Sequence, residues 1–336
     1  MGRSFALVQR DEPKTMNDRH FPKVYIVMAT RNAGTFLEPQ ITSIKEQTYS
    51  NWTLWIRDDA SKDGTADRLK EWALDDRIQI ISPHHQGEGA AHAFLDALFS
   101  VPKDADYFAF CDQDDVWLPS KLEHSVKELQ NLEASHPEIP CLVHSDLRVV
   151  DRSLNPIAAS FFKYQGLSPA KRNNLKDLLI QNHVTGCTAV FNRKLAEQTL
   201  VGGLPTSVCM HDWWVALIAA ASGKIGTIRT PLVLYRQHEG NDTGARQYSL
   251  LQEIYSFSRR PKLKIHKVAK SLDDTRRQAE SLLELHGDYL SYLNYNLVKR
   301  YSEGRYRSPL NRRIEMMSLG ITKSNISKTI AMYLFP

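Results

Sequence analysis

The stretch "VYIVMATRNAGTFLEPQITSIKEQTYSNWTLWIRDDASKDGT", Val24–Thr65, decides the fold. Its first seven residues are apolar and β-prone, which predicts a strand ending near Thr30. "RNAG" breaks that run. Phe36, Leu37, Ile41 and Ile44 then recur at helical spacing across Thr35–Gln47. Pro39 falls in the first turn, where a missing N–H is tolerated. "WTLWIRDD", Trp52–Asp59, alternates as a second strand, and a helix with Ser61 as its expected cap follows.

The alternation continues outward. "RIQIIS", Arg77–Ser82, reads as a third strand, "GEGAAHAFLDALF" as a glycine-led helix, and "DYFAFC", Asp106–Cys111, as a fourth strand. Strand and helix in strict turn predict a parallel α/β sheet covered by helices on both faces. Lys121–Leu132 reads as an amphipathic helix and Cys141–Asp151 as another strand. Asn182–Gln198 reads as a glycine turn, a short strand and a helix. Met210–Gly223 reads as a buried helix, and Lys224–His238 as two further strands. The chain divides into a tail at 1–21, an α/β domain at 22–248 and a basic helical region at 249–336.

Composition narrows the class. Of 336 residues, 42% are hydrophobic and 24% charged, as in a globular protein. No apolar run approaches the ~20 residues that span a bilayer. The polar first twenty residues lack the apolar core of a signal peptide. Cys111, Cys141, Cys187 and Cys209 form no CxxC pair and sit beside apolar or small residues. Reduced, buried thiols in a cytoplasmic protein are the expectation. The net charge of +5 is uneven: residues 246–336 hold 17 Lys/Arg against 8 Asp/Glu, the remainder 26 against 30. A basic end suggests an anionic partner, nucleic acid or a lipid surface at the inner face of the membrane, against the alternative of a helical domain or dimer contact whose charges form a solvated face.

Ligands in such sheets bind beyond the carboxyl ends of the strands. The polar signatures lie there: "RNAG", "DDASKDG", "HHQGEG" and "DQDD". "GEG" at Gly87–Gly89 lacks the third glycine of a dinucleotide fingerprint, and no phosphate-loop motif occurs, so neither nucleotide class is indicated. Asp112, Asp114 and Asp115 would repel one another unless a cation neutralises them, and oxygen ligands suit Mg²⁺ or Mn²⁺. The alternative is a solvated turn that caps the next helix. Asp58 and Asp59 read either as a turn into the Ser61 helix or as contacts to a base or sugar. Asp212 reads either as a helix-start carboxylate or as a general base walled by Trp213 and Trp214. His238 reads as structural or as a metal ligand.

Together these motifs resemble glycosyltransferase family 2. The signals are the strand ending in Thr-x-Asn, "SIKEQT", "DDASKDGT", "FCDQDDVWLPSKL", "NHVTGCTAVFNRKL" and "MHDWWVALIAAASGKI". They run over about Lys23–Gly244, and "LYRQHEGN" is most similar to the rhamnosyltransferase-like branch. The resemblance implies a GT-A fold: a Rossmann-like mixed sheet flanked by helices, here with a helical C-terminal region. It also implies an inverting transfer from a nucleotide-diphosphate sugar to a glycan or lipid-linked glycan. On it, Thr30, Asn32, Asp58 and Asp59 line the nucleoside pocket, with Gly87 and Ala90 packed against the nucleotide. Asp112 and Gln113 face the donor, Asp114 holds Mg²⁺ or Mn²⁺, and His238 completes the metal or diphosphate site. Asp212 is the catalytic base, with Gly186, His211, Trp213 and Trp214 on the acceptor side. The implied donor is dTDP-β-L-rhamnose, with UDP-galactose, UDP-glucose or a UDP-N-acetylhexosamine as alternatives, and the setting is O-antigen, capsule or cell-wall synthesis.

Two departures stand out. His211 precedes Asp212 where the family often has Glu, and "HHQGEGAAHA" lacks an arginine-asparagine pair found near His92 in many relatives. A nucleotidyltransferase and a non-catalytic glycan-binding module are the rival classes. Acidic strand ends argue against nucleic acid.

Overall fold

The computed structural model describes residues 21–82, 89–240 and 261–334. Gly87 and the boundary between residues 248 and 249 lie outside them. In chain order come β1 (Val24–Thr30), α1 (Leu37–Lys45), β2 (Trp52–Asp58), α2 (Thr65–Trp72), β3 (Ile78–Ile81), α3 (Ala90–Ser100) and β4 (Tyr107–Cys111). Then follow β5 (Val116–Trp117), α4 (Lys121–Ser135), β6 (Cys141–Val150), β7 (Pro156–Ala158), α5 (Phe161–Gln165), α6 (Leu175–Leu178), β8 (Val190–Asn192), α7 (Arg193–Thr199), α8 (His211–Ser222) and β9 (Lys224–Arg236). Four more helices close the chain: α9 (Pro261–His286), α10 (Tyr292–Glu303), α11 (Pro309–Ser318) and α12 (Ile326–Leu334).

The strands form one sheet in the order β3-β2-β1-β4-β8-β6-β9-β5, with β7 paired to β6. β3, β2, β1 and β4 are parallel, as their alternation with helices predicts. The apolar runs of β1 and β4 are continuous because both faces are covered. In β1, Val24, Ile26 and Met28 enter one core cluster, whereas Tyr25 and Val27 enter the other. β4 divides the same way: Tyr107, Ala109 and Cys111 on one side, Phe108 and Phe110 on the other.

Beyond β4 the sheet changes character, as the resemblance implies. β8 runs antiparallel to both β4 and β6, so the sheet is mixed. β9 is one strand of 13 residues where two were expected. Its register against β6 shifts between Ser145 and Asp146, which face Ile228 and Pro231. Proline has no N–H for the ladder, so the strand bulges there and continues.

Two expected caps also differ. α2 starts at Thr65 after Gly64, whose φ of 85° only glycine adopts easily, and Ser61 does not cap it. α4 starts at Lys121 after Ser120, leaving Asp115 to the interior.

The C-terminal helices pack on the α8 face of the sheet. Leu272, Ala279, Leu282, Val298, Tyr301 and Met316 join the same core cluster as α3 and α8. Gln278 accepts from Cys209 N at 2.7 Å, and Asn294 Nδ2 donates to Ala221 O at 2.7 Å. Much of the local basic charge is internally paired: Arg305 with Asp273 and Glu280, Arg300 and Arg307 with Glu315. Among the described residues no helix is long and apolar enough to cross a membrane.

Candidate active site

The ends of β1, β2 and β4 and the starts of α3 and α8 surround a cavity of about 730 Å³. Thr30, Asp59, Ala90, Asp112, Gln113, Asp114, Gly186, His211, Asp212 and Trp213 line it. Asn32, Asp58, His238 and Trp214 do not.

The residues off the cavity have other partners. Asp58 accepts from Ser61 N at 3.1 Å and from Ser61 Oγ, so it closes its own loop. Asn32, at φ 50°, accepts from Lys62 N and takes Ser61 Oγ on its own N–H, both at 2.8 Å. These two side chains tie the β1 and β2 loops together. Trp214 is fully buried on the other side of α8, with its ring against His286. Of the two tryptophans, Trp213 alone faces the cavity.

Five side chains order the strand ends. Gln113 Oε1 accepts from Thr30 Oγ1 at 2.6 Å and from Arg31 N at 2.8 Å, which locks β4 to β1. Asp59 is 6% exposed and accepts from Arg57 at 3.3 Å, while Arg57 also pairs with Asp96 on α3 at 2.5 Å.

The crowded aspartates are separated by depth. Asp112 faces the cavity. Asp114 Oδ2 lies 2.8 Å from His238 Nε2, and that ring stacks on Phe36 at 4.6 Å. Asp115 is fully buried and accepts from Arg236 N at 3.0 Å, with the Cys187 thiol beside it. Burial, reinforced by the Asp114 charge, raises the Asp115 pKa far above the usual carboxylate range. Arg236 also donates from Nε to Asp114 O at 2.7 Å. Beneath them Lys121 is wholly buried with Nζ 3.4 Å from the centre of the Trp117 ring, and burial draws its pKa down to about 8.

Ligand atoms of Asp112, Asp115 and Cys187 converge within 4.8 Å, so this corner could hold a divalent cation. Asp114 and His238, the two residues expected to share a metal, share a hydrogen bond. The carboxylates fit Mg²⁺ or Mn²⁺; the thiol, driven well up in pKa by burial, does not favour them.

Asp212 sits in the first turn of α8. It accepts from Gly186 N at 2.8 Å and from Asn182 Nδ2 at 3.0 Å. Burial outweighs those bonds and raises its pKa to about 7. A carboxyl poised there exchanges protons near neutrality, as a general base must. His211 lies 3.9 Å from the Phe94 ring, stacked, and meets Phe110 edge-on at 4.7 Å.

Several cavity residues were not singled out from the sequence: Asn182, His183, Ser271 of α9 and Lys323. The last two come from the C-terminal region, so the helices that follow the sheet also enclose the site. Asn182 and His183 open the "NHVTGCTAVFNRKL" motif, but no periodicity marks either side chain as facing the site.

The model of glycosyl transferase family 2 matches residues 25–200, and the chain belongs to that family. It is 27% identical over 227 residues to "dTDP-rhamnosyl transferase RfbG" of Shigella flexneri, covering 65% of this chain and 74% of that protein. It is 30% identical over 173 residues to "UDP-Glc:alpha-D-GlcNAc-diphosphoundecaprenol beta-1,3-glucosyltransferase WfgD" of Escherichia coli, covering 51% and 61%. The fold is similar to that of S. aureus TarS 1-349 in complex with UDP-GlcNAc: TM-score 0.53 at 11% identity, covering 92% of this chain and 83% of that one. The architecture is thus a mixed α/β fold of the nucleotide-sugar transferase kind with a helical extension.

Proposed function

We propose that the protein is an inverting GT-A glycosyltransferase that moves a sugar from a nucleoside-diphosphate donor to a glycan hydroxyl in surface polysaccharide synthesis. The observation that carries this reading is one cavity with two chemical ends. Asp112 and Asp114 lie at the β4 end; Asp212, with its pKa near 7, lies at the α8 end.

The nucleoside would enter between the β1 and β2 ends, against Thr30 and Asp59. α3 begins at Ala90, after Gly89, with no acidic residue in its first turn, so its N-terminal N–H groups suit a diphosphate. A divalent cation bound at the aspartates would offset the charge of the departing diphosphate. Asp212 takes the proton from the attacking hydroxyl, and Asn182 and Gly186 N hold its carboxylate in place. A single displacement from the face opposite the leaving group inverts the anomeric carbon. With dTDP-β-L-rhamnose the product is an α-L-rhamnoside. The likeness to a dTDP-rhamnosyl transferase favours that donor, and UDP-glucose is the second choice on the likeness to a glucosyltransferase.

The C-terminal helices expose Tyr292, Leu293, Tyr306, Leu310, Ile314 and Met317 in a region of positive charge. That pairing suits peripheral contact with anionic lipid, where a lipid-linked acceptor would be met. Release of nucleoside diphosphate, measured across a panel of donors with a lipid-linked glycan extract, tests the reading. One donor should be consumed with inversion; a panel left intact, or a retained anomeric configuration, speaks against it.

A further inference from the structure

His183 and His211 share three features. Both are buried, 2% and 3% exposed. Both line the cavity that holds Asp212. Among the described residues, neither ring has a hydrogen-bond partner at Nδ1 or Nε2. Buried polar atoms without partners are rare, and each one calls for an explanation such as a ligand. Other described histidines do find partners: His144 Nε2 meets Thr227 Oγ1 at 3.0 Å, and His238 meets Asp114. His286 is also unpartnered, but it packs against Trp214 in the core and does not line the cavity.

Gly186 shows how close His211 and Asp212 come to one another. A Cβ on Gly186 would stand 2.7 Å from His211 Nε2 and 3.4 Å from Asp212 Oδ2. The two polar atoms are therefore near neighbours, and the missing side chain lets the His211 ring pack close to the Gly186 backbone. A hydroxyl that reaches both from the cavity donates its hydrogen to Asp212 and accepts a hydrogen bond from His211 Nε2–H. Phe94 and Phe110 fix the ring plane, so the direction of that N–H is set before a ligand arrives.

We propose that His183 and His211 are acceptor-reading residues that hydrogen-bond the hydroxyls of an uncharged sugar, His211 at the hydroxyl that reacts and His183 at a neighbouring one. This rests on the transferase reading of the site and names its acceptor class.

The chemistry fits hydroxyls better than anions. Burial lowers the pKa of His211 to about 3; burial and the Arg172 charge lower that of His183 to about 4. Each neutral imidazole offers one donor and one acceptor, the complement of a hydroxyl. A carboxylate or phosphate could use only the donor and would bring into the cavity a charge that neither neutral ring offsets. Trp213 spends its Nε1–H on Leu178 O at 2.6 Å, so its ring presents only an apolar surface beside them.

The test reads ring nitrogens directly. Protein labelled with ¹⁵N-histidine is saturated with dTDP or UDP, then titrated with p-nitrophenyl glycosides of rhamnose, galactose, glucose and glucuronic acid. At least one neutral glycoside should move the His183 and His211 signals, with those of His286 unmoved, and the glucuronide should bind at least ten-fold more weakly. Replacement His211→Phe or His183→Phe should raise the acceptor KM about ten-fold while nucleotide Kd stays within two-fold, and His211→Gln should recover part of the loss. No ring response to any neutral glycoside, or equal binding of the glucuronide, overturns the proposal. So do folded Phe variants with unchanged acceptor KM. The titration needs no turnover, so it stands apart from the transferase reading, which fails instead if wild-type protein consumes no nucleotide sugar.

Discussion

Asp212 keeps its proton up to about pH 7 because burial outweighs the hydrogen bonds of Asn182 and Gly186. It works as a base only when ionised, so kcat/KM of the free enzyme should climb with pH and level off above about 7. Stability should run the other way. The ordinary carboxyl value is 3.8, so between there and about 7 the folded chain holds a proton that the unfolded chain has released. Folding is therefore weakened as pH rises through that window. Asp212→Asn should flatten this slope in urea titrations and lower turnover by roughly 10²- to 10⁴-fold, with donor binding kept. Gly186→Ala is a second residue-scale test. Its Cβ would press on His211 Nε2 at 2.7 Å, and Phe94 and Phe110 leave that ring little freedom to yield. Turnover should drop on the order of 10²-fold in a protein that still folds. The depth of each aspartate was not legible from "DQDD". Asp115 is interior because β5 pairs with β9, more than a hundred residues away, and because Arg236 N reaches its carboxylate. No local pattern encodes such a contact.

The elements legible in the sequence were those whose pattern is local. β1 and β4 show continuous apolar runs, since both faces are buried, β2 alternates, and the polar ends of β1, β2 and β4 open on the site. β8 has three residues, too few for periodicity to reveal its direction. β9 looked like two strands because Thr230 and Pro231 interrupt it, yet pairing with β6 resumes beyond the bulge. The turn between α8 and β9 shows how tightly the second half is built. A Cβ on Gly223 would fall 1.9 Å from Pro140 O, a backbone atom that cannot step aside. Gly223→Ala should cost roughly 1–3 kcal/mol, seen as a lower urea midpoint, while donor Kd in the folded fraction is unchanged.

At the scale of the whole molecule, the basic C-terminal region is part of the enzyme body. Its helices share the core of α3 and α8, and Ser271 and Lys323 reach the cavity. Sequence showed its charge and helical character but not this packing, since the contacts join segments far apart in the chain. Leu310, Ile314 and Met317 fall on one side of α11 at helical spacing and are 62, 55 and 58% exposed. Binding to anionic vesicles in co-sedimentation should be strong at low salt and weaken as salt rises, and replacing these three by Ser should reduce it. Vesicles that leave the protein in the supernatant at low salt would remove the membrane role and leave the cavity chemistry intact.

The most direct test of the central claim compares wild-type protein with Asp212→Asn on a panel of dTDP-rhamnose, UDP-glucose, UDP-galactose and UDP-N-acetylglucosamine. Nucleoside diphosphate release with a lipid-linked glycan extract is measured beside donor binding by calorimetry. One donor should be turned over by the wild type and merely bound, with similar affinity, by the variant. A variant that turns over at the wild-type rate, or one that folds but no longer binds the donor, would contradict the role of Asp212 as the base of a nucleotide-sugar transferase.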